Sequence, residues 1–552
     1  MMEGYVDSIL QAFHGTETRQ DQEEVQEQKT KRNRAVSERA AGSLKNLLEP
    51  GGLFLEAGGE SCPVLALGDG TIEVMVPAEF LKRALGISVL EYKDAGILMQ
   101  QGSKCVELGP EGGGAAGKAQ GFYLPLRAVC EGFGYEAELA PGSRKLCLKD
   151  TVFYKRRTLP VSYDYRTVGR GVRVKDQGSY GTCWSFASLT ALETALGPKD
   201  GREFSADHMS LHNGFSLNQK EGGEYTMSMA YLLGWQGPVL EEEDPYGDGF
   251  SPDGLAPAVH VQEIQILPSK DYEAIKNAVF LTGGVQSSLY TSITGSSSRS
   301  VYYNEETYGY CYQGEKIPNH DIVIVGWDDN YPKENFQTET EGDGAFLCVS
   351  SWGEEFGDKG YFYVSYYDSN IGSSNLVYTK IEAADNYDNL YQSDLCGWVG
   401  QVGYGREEAY GANLYEAKGA EVLRAVGFYA TGDHTSYVVS LSHDVGDDMD
   451  FKDRKIVARG NLKCSGFYTI PLKVPENLKP GERFAVILEV RTLKAVHPLA
   501  VEYQADDATA EADITDGEGY ISPDGVGWEP MESRYQCNLC LKVYTDTIGF
   551  GG

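Results

Sequence analysis

Val174-Lys-Asp-Gln177-Gly-Ser-Tyr180-Gly-Thr-Cys183-Trp-Ser-Phe-Ala187 is the stretch on which the fold reading turns. The segment Cys183–Leu196 that it opens has a helical pattern, and Gly197-Pro198 stops it. A cysteine in the first turn of a helix sits at the positive end of the helix dipole. That position favours thiolate over thiol and makes a better nucleophile. The glycines before it allow a substrate backbone to approach closely. Gln177 offers a side-chain amide N–H that, with the Cys183 backbone N–H, could hold the oxyanion of a tetrahedral intermediate. For an isolated cysteine the plainer reading is a buried structural thiol.

A nucleophilic cysteine needs a base. Asn319-His320-Asp321-Ile-Val-Ile-Val-Gly-Trp327 places His320 at the start of an apolar strand, where it could form a thiolate–imidazolium pair with Cys183. Further on comes Ser350-Ser-Trp352-Gly-Glu-Glu-Phe-Gly-Asp-Lys-Gly-Tyr-Phe-Tyr363. The three blocks, in this order, resemble the papain-like (C1) cysteine peptidases. The resemblance spans 158–384.

The resemblance implies a two-lobed α+β peptidase domain and assigns roles by position. Cys183 matches the nucleophile, His320 the general base and then acid, and Gln177 the oxyanion-hole donor. Gly222 and Gly223 resemble the pair that binds the substrate backbone in an extended mode, although a simple loop turn fits them too. Trp352 matches the indole that shields the histidine's hydrogen bond. No cofactor or metal is implied.

Two positions depart from the family. Ser350 stands where the family has the Asn that orients the imidazole. A hydroxyl can accept the same hydrogen bond but is shorter, so an attenuated enzyme is expected, and a catalytically inactive papain-fold binding protein is the alternative. On this reasoning Ser350→Asn should raise turnover. Tyr180 stands where the family has a disulfide-forming cysteine, so that staple is missing.

Working outward, residues 1–52 are polar and charged and read as a helical or disordered leader. Within 53–150, Val76–Gly86 (VPAEFLKRALG) and Leu124–Gly134 (LPLRAVCEGFG) form a weak repeat. Each copy reads as strand, short helix, strand, with Pro entering the helix and Gly closing it. The repeat resembles the copper amine oxidase N-terminal-like stalk domain, without implying copper, because 53–150 contains no His.

Beyond about 386, short alternating segments between Gly, Asp and Pro turns predict a β-sandwich over 386–547. The stretches 396–432 and 466–490 resemble the lectin-like β-domain of clostridia-type bacterial surface proteins. Trp398, Tyr404 and Tyr410 fit either sugar stacking or a core. Glu502–Glu518, with seven acidic residues and no basic one, reads as an exposed loop.

Composition narrows the partners. With 48 Lys plus Arg against 81 Asp plus Glu, the net charge is −33, which disfavours nucleic acid or an anionic membrane surface. Hydrophobic residues make up 41%, enough to fold most of the chain. No segment reaches the roughly 18 apolar residues of a transmembrane helix. Expected partners are protein or peptide substrates, with a carbohydrate or cell-wall ligand for the C-terminal domain. MMEGYVDSILQAFHGTETRQ carries no secretion-signal pattern, which fits an intracellular protein or one whose leader lies outside this sequence. Both flanking resemblances point to an extracellular or cell-surface location. Eleven cysteines leave at least one thiol unpaired within the chain, and the Cys537–Cys540 pair lacks the second ligand pair of a zinc site. His208 and His212 are four apart with no third ligand, and the run 444–450 misses calcium-loop spacing.

Overall fold

The computed structural model describes stretches of 54–150 (54–57, 60–67, 73–85, 87–92, 96–101, 104–108, 123–133, 135–139, 145–150) and, beyond these, 159–548 without 199, 294, 296–298, 444, 446–450 and 452–453. The charged leader, the closing glycines Gly86 and Gly134, and nearly all of the run 444–450 lie outside the described residues. The chain divides into two compact units, one ending at Pro160 and the other holding the remainder, except that 280–282 group with the first.

In the first unit, strand Glu73–Pro77 leads into helix Ala78–Leu85 and strand Ser88–Tyr92. The second copy follows the same order: Tyr123–Pro125, Leu126–Phe133, Tyr135–Leu139. Each proline ends its strand where its fixed φ suits the coming helical turn. The two copies meet through these strands, with Met75 opposite Pro125 and Val76 opposite Leu124. Val76, Phe80, Leu81, Leu124, Leu126 and Val129 form their shared core.

The second unit is organised around helix Cys183–Leu196. Its sequence is apolar on all sides, and every residue from Trp184 to Leu196 except Glu193 is buried. It packs on helices Ala206–Leu211 and Tyr225–Leu233 on one side. On the other lie strands Val285–Leu289, His320–Asp328 and Asn375–Ala383. The Cys183 end of the helix therefore meets the start of the His320 strand, where the Asp321 N–H faces the sulfur.

The boundary near 386 separates two domains in sequence but not in the sheet. Strand Val259–Ile266 pairs with Asn375–Ala383 on one edge and with Ser465–Leu478 on the other. The sheet then continues through Glu421–Ala430 and Leu541–Thr547, reaching thirteen strands. An edge that would otherwise expose unpaired backbone groups is thus covered by the C-terminal domain. A second, six-stranded sheet includes Thr435–Ser442, Arg483–Thr492 and Glu408–Glu416. Phe428, Val439, Phe484, Leu488, Leu541 and Val543 fill the core between the two sheets.

Gly466 makes the junction possible. Its φ is +133°, and a Cβ there would sit 2.1 Å from the Ile264 carbonyl oxygen on the neighbouring strand. Gly466→Ala is expected to destabilise this unit by about 2–4 kcal/mol. Chemical denaturation measures this, and an unchanged midpoint would contradict the close approach.

The predicted exposed acidic loop needs one correction. Residues 503–507 and 515–517 are exposed, but Glu502 is buried, its Oε1 accepting from the Cys396 N–H and its Oε2 from Asn538 Nδ2 at 2.7 Å. Trp398, Tyr404 and Tyr410 are all half-buried, with Trp398 against the Tyr429 ring and Tyr404 against the core.

Candidate active site

The helix entry is built by hydrogen bonds that leave its first amides unused. The Thr182 carbonyl accepts from the Ser185 and Phe186 N–H groups at 3.1 and 3.2 Å. The N–H groups of Cys183 and Trp184 have no intrahelical partner. They face the Cys183 sulfur, as does the N–H of Asp321, and all three favour the thiolate. Cys183 is half-buried, whereas Cys311, Cys348, Cys396, Cys464, Cys537 and Cys540 are buried.

Gln177 is held from three directions. Its N–H donates to the Ser351 carbonyl at 2.9 Å. Its Oε1 accepts from Ser351 Oγ at 2.6 Å. Its Nε2 donates one hydrogen to the Tyr180 carbonyl at 2.7 Å, leaving the second amide hydrogen available. Tyr246 ties this residue to the helix entry. Its hydroxyl donates to the Gln177 carbonyl at 2.9 Å and lies 2.7 Å from Thr182 Oγ1, which must then be the donor. Where the family's disulfide is missing, the Gly181 N–H donates to the Gln219 carbonyl at 2.7 Å. The Tyr246 ring also packs edge-on against Phe186 and Tyr180.

His320 opens its strand opposite Leu289. Its ring lies parallel to the Trp352 indole, 4.2 Å away at 10°. Its Nε2 is 2.9 Å from Ser350 Oγ. With Nε2–H donating to that hydroxyl, Nδ1 is the basic nitrogen. The shorter Ser350 side chain therefore does span the distance. Trp352 is 4% exposed, and His320 and Ser350 are buried with it.

Gly222 and Gly223 lie against the segment around Cys183. A Cβ on Gly223 would fall 2.4 Å from Trp184 Nε1, and one on Gly181 would fall 2.8 Å from the Gly222 nitrogen. All seven residues singled out by sequence thus converge on one place. Tyr246, Ser351 and Asp321 were not singled out. Asp321 stood within the quoted histidine block, but neither periodicity nor spacing marked it.

Burial pushes the Cys183 thiol up to about 12, and the Asp321 carboxylate adds to the rise. Burial pushes the His320 imidazole down to about 3. Either group is therefore disfavoured when charged by itself. Proton transfer from sulfur to imidazole makes both charges together. Their attraction, about 4 kcal/mol at ~4 Å and an effective dielectric of ~20, offsets part of both penalties.

Elsewhere, His208 and His212 stack at 4.7 Å; His208 Nδ1 lies 2.6 Å from the Tyr231 hydroxyl and His212 Nε2 lies 3.1 Å from the Ser251 carbonyl. They are packing residues. Among the described residues no group of three His, Cys, Asp or Glu side chains is placed to hold a metal ion.

Residues 159–381 match the papain family cysteine protease model, and residues 390–545 match the lectin-like domain model. Mouse (Mus musculus) cathepsin K is 30% identical over 210 residues, 37% of this chain and 59% of its own length. Drosophila melanogaster cathepsin L1 is 26% identical over 250 residues, 43% of this chain and 62% of its own. The chain thus matches about three-fifths of the length of these relatives. Among solved structures, the clostridial cysteine protease Cwp84 after propeptide cleavage superposes with a TM-score of 0.61 at 26% identity, covering 70% of this chain and 99% of that one. The cysteine protease and lectin-like domains of Cwp84, a surface layer associated protein of Clostridium difficile, give the same TM-score and identity over 71% and 90%.

Proposed function

We propose that this chain, whose central domain is a papain-family cysteine peptidase, is an endopeptidase that works through a Cys183–His320 pair. The proton moves from Sγ to His320 Nδ1, and the thiolate attacks a peptide carbonyl. The oxyanion is held by the free Gln177 amide hydrogen and the Cys183 N–H. The imidazolium gives its proton to the leaving amine, forming a thioester, and water activated by His320 then releases the acid and restores the thiol. The extended backbone of the substrate lies along Gly222–Gly223.

The observations that carry this reading are the half-buried thiol at the helix entry, faced by the N–H of Asp321, and next in sequence to that residue an imidazole held at 2.9 Å by Ser350 and stacked on Trp352. The rival reading, an inactive display module, rests on Ser350, and a hydroxyl within bonding distance does not favour it. Stoichiometric labelling by an epoxysuccinyl inhibitor, lost in Cys183→Ala, tests the proposal. A folded chain that takes no label would sink it.

Because the hydroxyl already reaches the ring, Ser350→Asn is expected to change turnover little. Ser350→Ala is expected to lower kcat about tenfold or more with KM nearly unchanged. Equal kcat values for the serine and alanine forms would remove Ser350 from the mechanism.

For the C-terminal domain, the lectin-like match supports carbohydrate binding, and a glycan array probed with the full chain checks it. The kinship with a surface layer associated protein supports a cell-surface location.

A further inference from the structure

Next to His320, the strand carries an acid. Asp321 lies opposite Ser288 across the sheet, and Ser288 Oγ donates to its Oδ1 at 2.6 Å. Gln286 Nε2 donates to Oδ2 at 2.9 Å. Gln286 is itself fixed, its Oε1 accepting from Ser188 Oγ of the nucleophile helix at 2.8 Å. Both partners of the carboxylate are neutral. Lys175 and Arg173, which line a cavity shared with Asp321, are paired with Glu193 and Glu203. Among the described residues no cation forms an ion pair with Asp321.

The acid lies next to the nucleophile. Asp321 is partly exposed, and its backbone N–H faces the Cys183 sulfur. Glu224 follows the Gly222–Gly223 pair and is exposed. Gly223 is pressed on Trp184, so Glu224 is held close to the helix entry. Its charge is felt at Asp321 and raises the cost of ionising it, after burial.

By itself this acid works against catalysis, because a negative charge beside Cys183 disfavours the thiolate. A cation arriving with the substrate reverses that effect when the cleft is filled. It also supplies the charged partner that the neutral donors around Asp321 do not.

We propose that Asp321, assisted by Glu224, is a specificity determinant that seats a Lys or Arg side chain of the peptide next to the scissile bond. This rests on the peptidase reading for the identity of the cleft, and its test does not need turnover. The probe is a set of blocked alanine hexapeptide amides with one Arg, Lys, norleucine or citrulline placed at each position in turn. Citrulline keeps the shape of arginine without its charge. Binding is measured to the full chain carrying Cys183→Ala, which cannot consume the probes.

At one position, Arg or Lys is expected to bind about tenfold or more tighter than citrulline and norleucine. Asp321→Asn should bring the Arg and citrulline peptides to parity. Glu224→Gln, at an exposed position, should reduce the preference a few-fold, and it reads the charge effect even if Asp321→Asn perturbs folding. Equal binding of Arg and citrulline at every position, or no measurable binding by any probe, overturns the proposal. So does a preference that survives both Asp321→Asn and Glu224→Gln. Epoxide labelling of the unaltered chain reports separately. Label without a cation preference rejects the role of Asp321 alone. A cation preference without label rejects the peptidase reading and keeps the acidic seat.

Discussion

Replacing Cys183 by alanine is expected to lower peptide hydrolysis by about a thousandfold or more, and His320→Ala should do nearly the same. The two losses should not add, because each removes the one thiolate–imidazolium unit. Steady-state kinetics on the single and double variants checks this. The pH profile carries a second signature of the pair. The active form holds one proton between the two groups. Burial moves His320 down to about 3 and Cys183 up to about 12, so both shifts widen the pH range of the one-proton form. The acid limb of kcat/KM should therefore lie below the ordinary histidine value of about 6.5, and the alkaline limb above the ordinary thiol value of about 8.5. Asp321→Asn removes a negative charge from beside the sulfur and should bring the alkaline limb down. An alkaline limb that stays put or moves up would contradict that placement.

Gln177→Ala is expected to lower kcat by about a hundredfold to a thousandfold, the usual loss for one oxyanion donor. Binding of substrate should weaken much less, because the free amide hydrogen meets its partner only as the carbonyl oxygen gains charge. Gln177 is 7% exposed and fixed through Ser351, Tyr180 and Tyr246, so the donor needs little reorganisation at the moment of reaction. Epoxide labelling of Gln177→Ala should persist, since the nucleophile and base remain. A rise in KM at constant kcat would show that Gln177 serves binding alone.

The legible part of this protein was local. Cys183, His320 and Gln177, the proposed nucleophile, base and oxyanion donor, lie in short blocks whose spacing reflects one helix entry and one strand start, and such blocks survive as sequence motifs. The repeat in 53–150 was legible for the same reason: proline at a helix entry is a local steric requirement. In the C-terminal region, alternation disclosed strands. It did not disclose that the strand Ser465–Leu478 would pair with Val259–Ile266 and extend the sheet of the central domain, because pairing between distant segments leaves no periodic trace.

By itself, the sequence determined which groups could do the chemistry and that the central domain would place a cysteine at a helix entry and a histidine at a strand start. Tertiary structure decided whether those groups could act together. Ser350 reads as a shorter stand-in for the family's asparagine, and the strand ending at Val349 brings its hydroxyl within 2.9 Å of the imidazole. Neither periodicity nor spacing marks Asp321, yet pairing with Ser288 holds its carboxylate between two neutral donors and sets its N–H against the Cys183 sulfur. The physical reason is range: helix dipoles, caps and turns act over a few residues, whereas hydrogen-bond reach, burial and charge coupling depend on groups brought together by the fold.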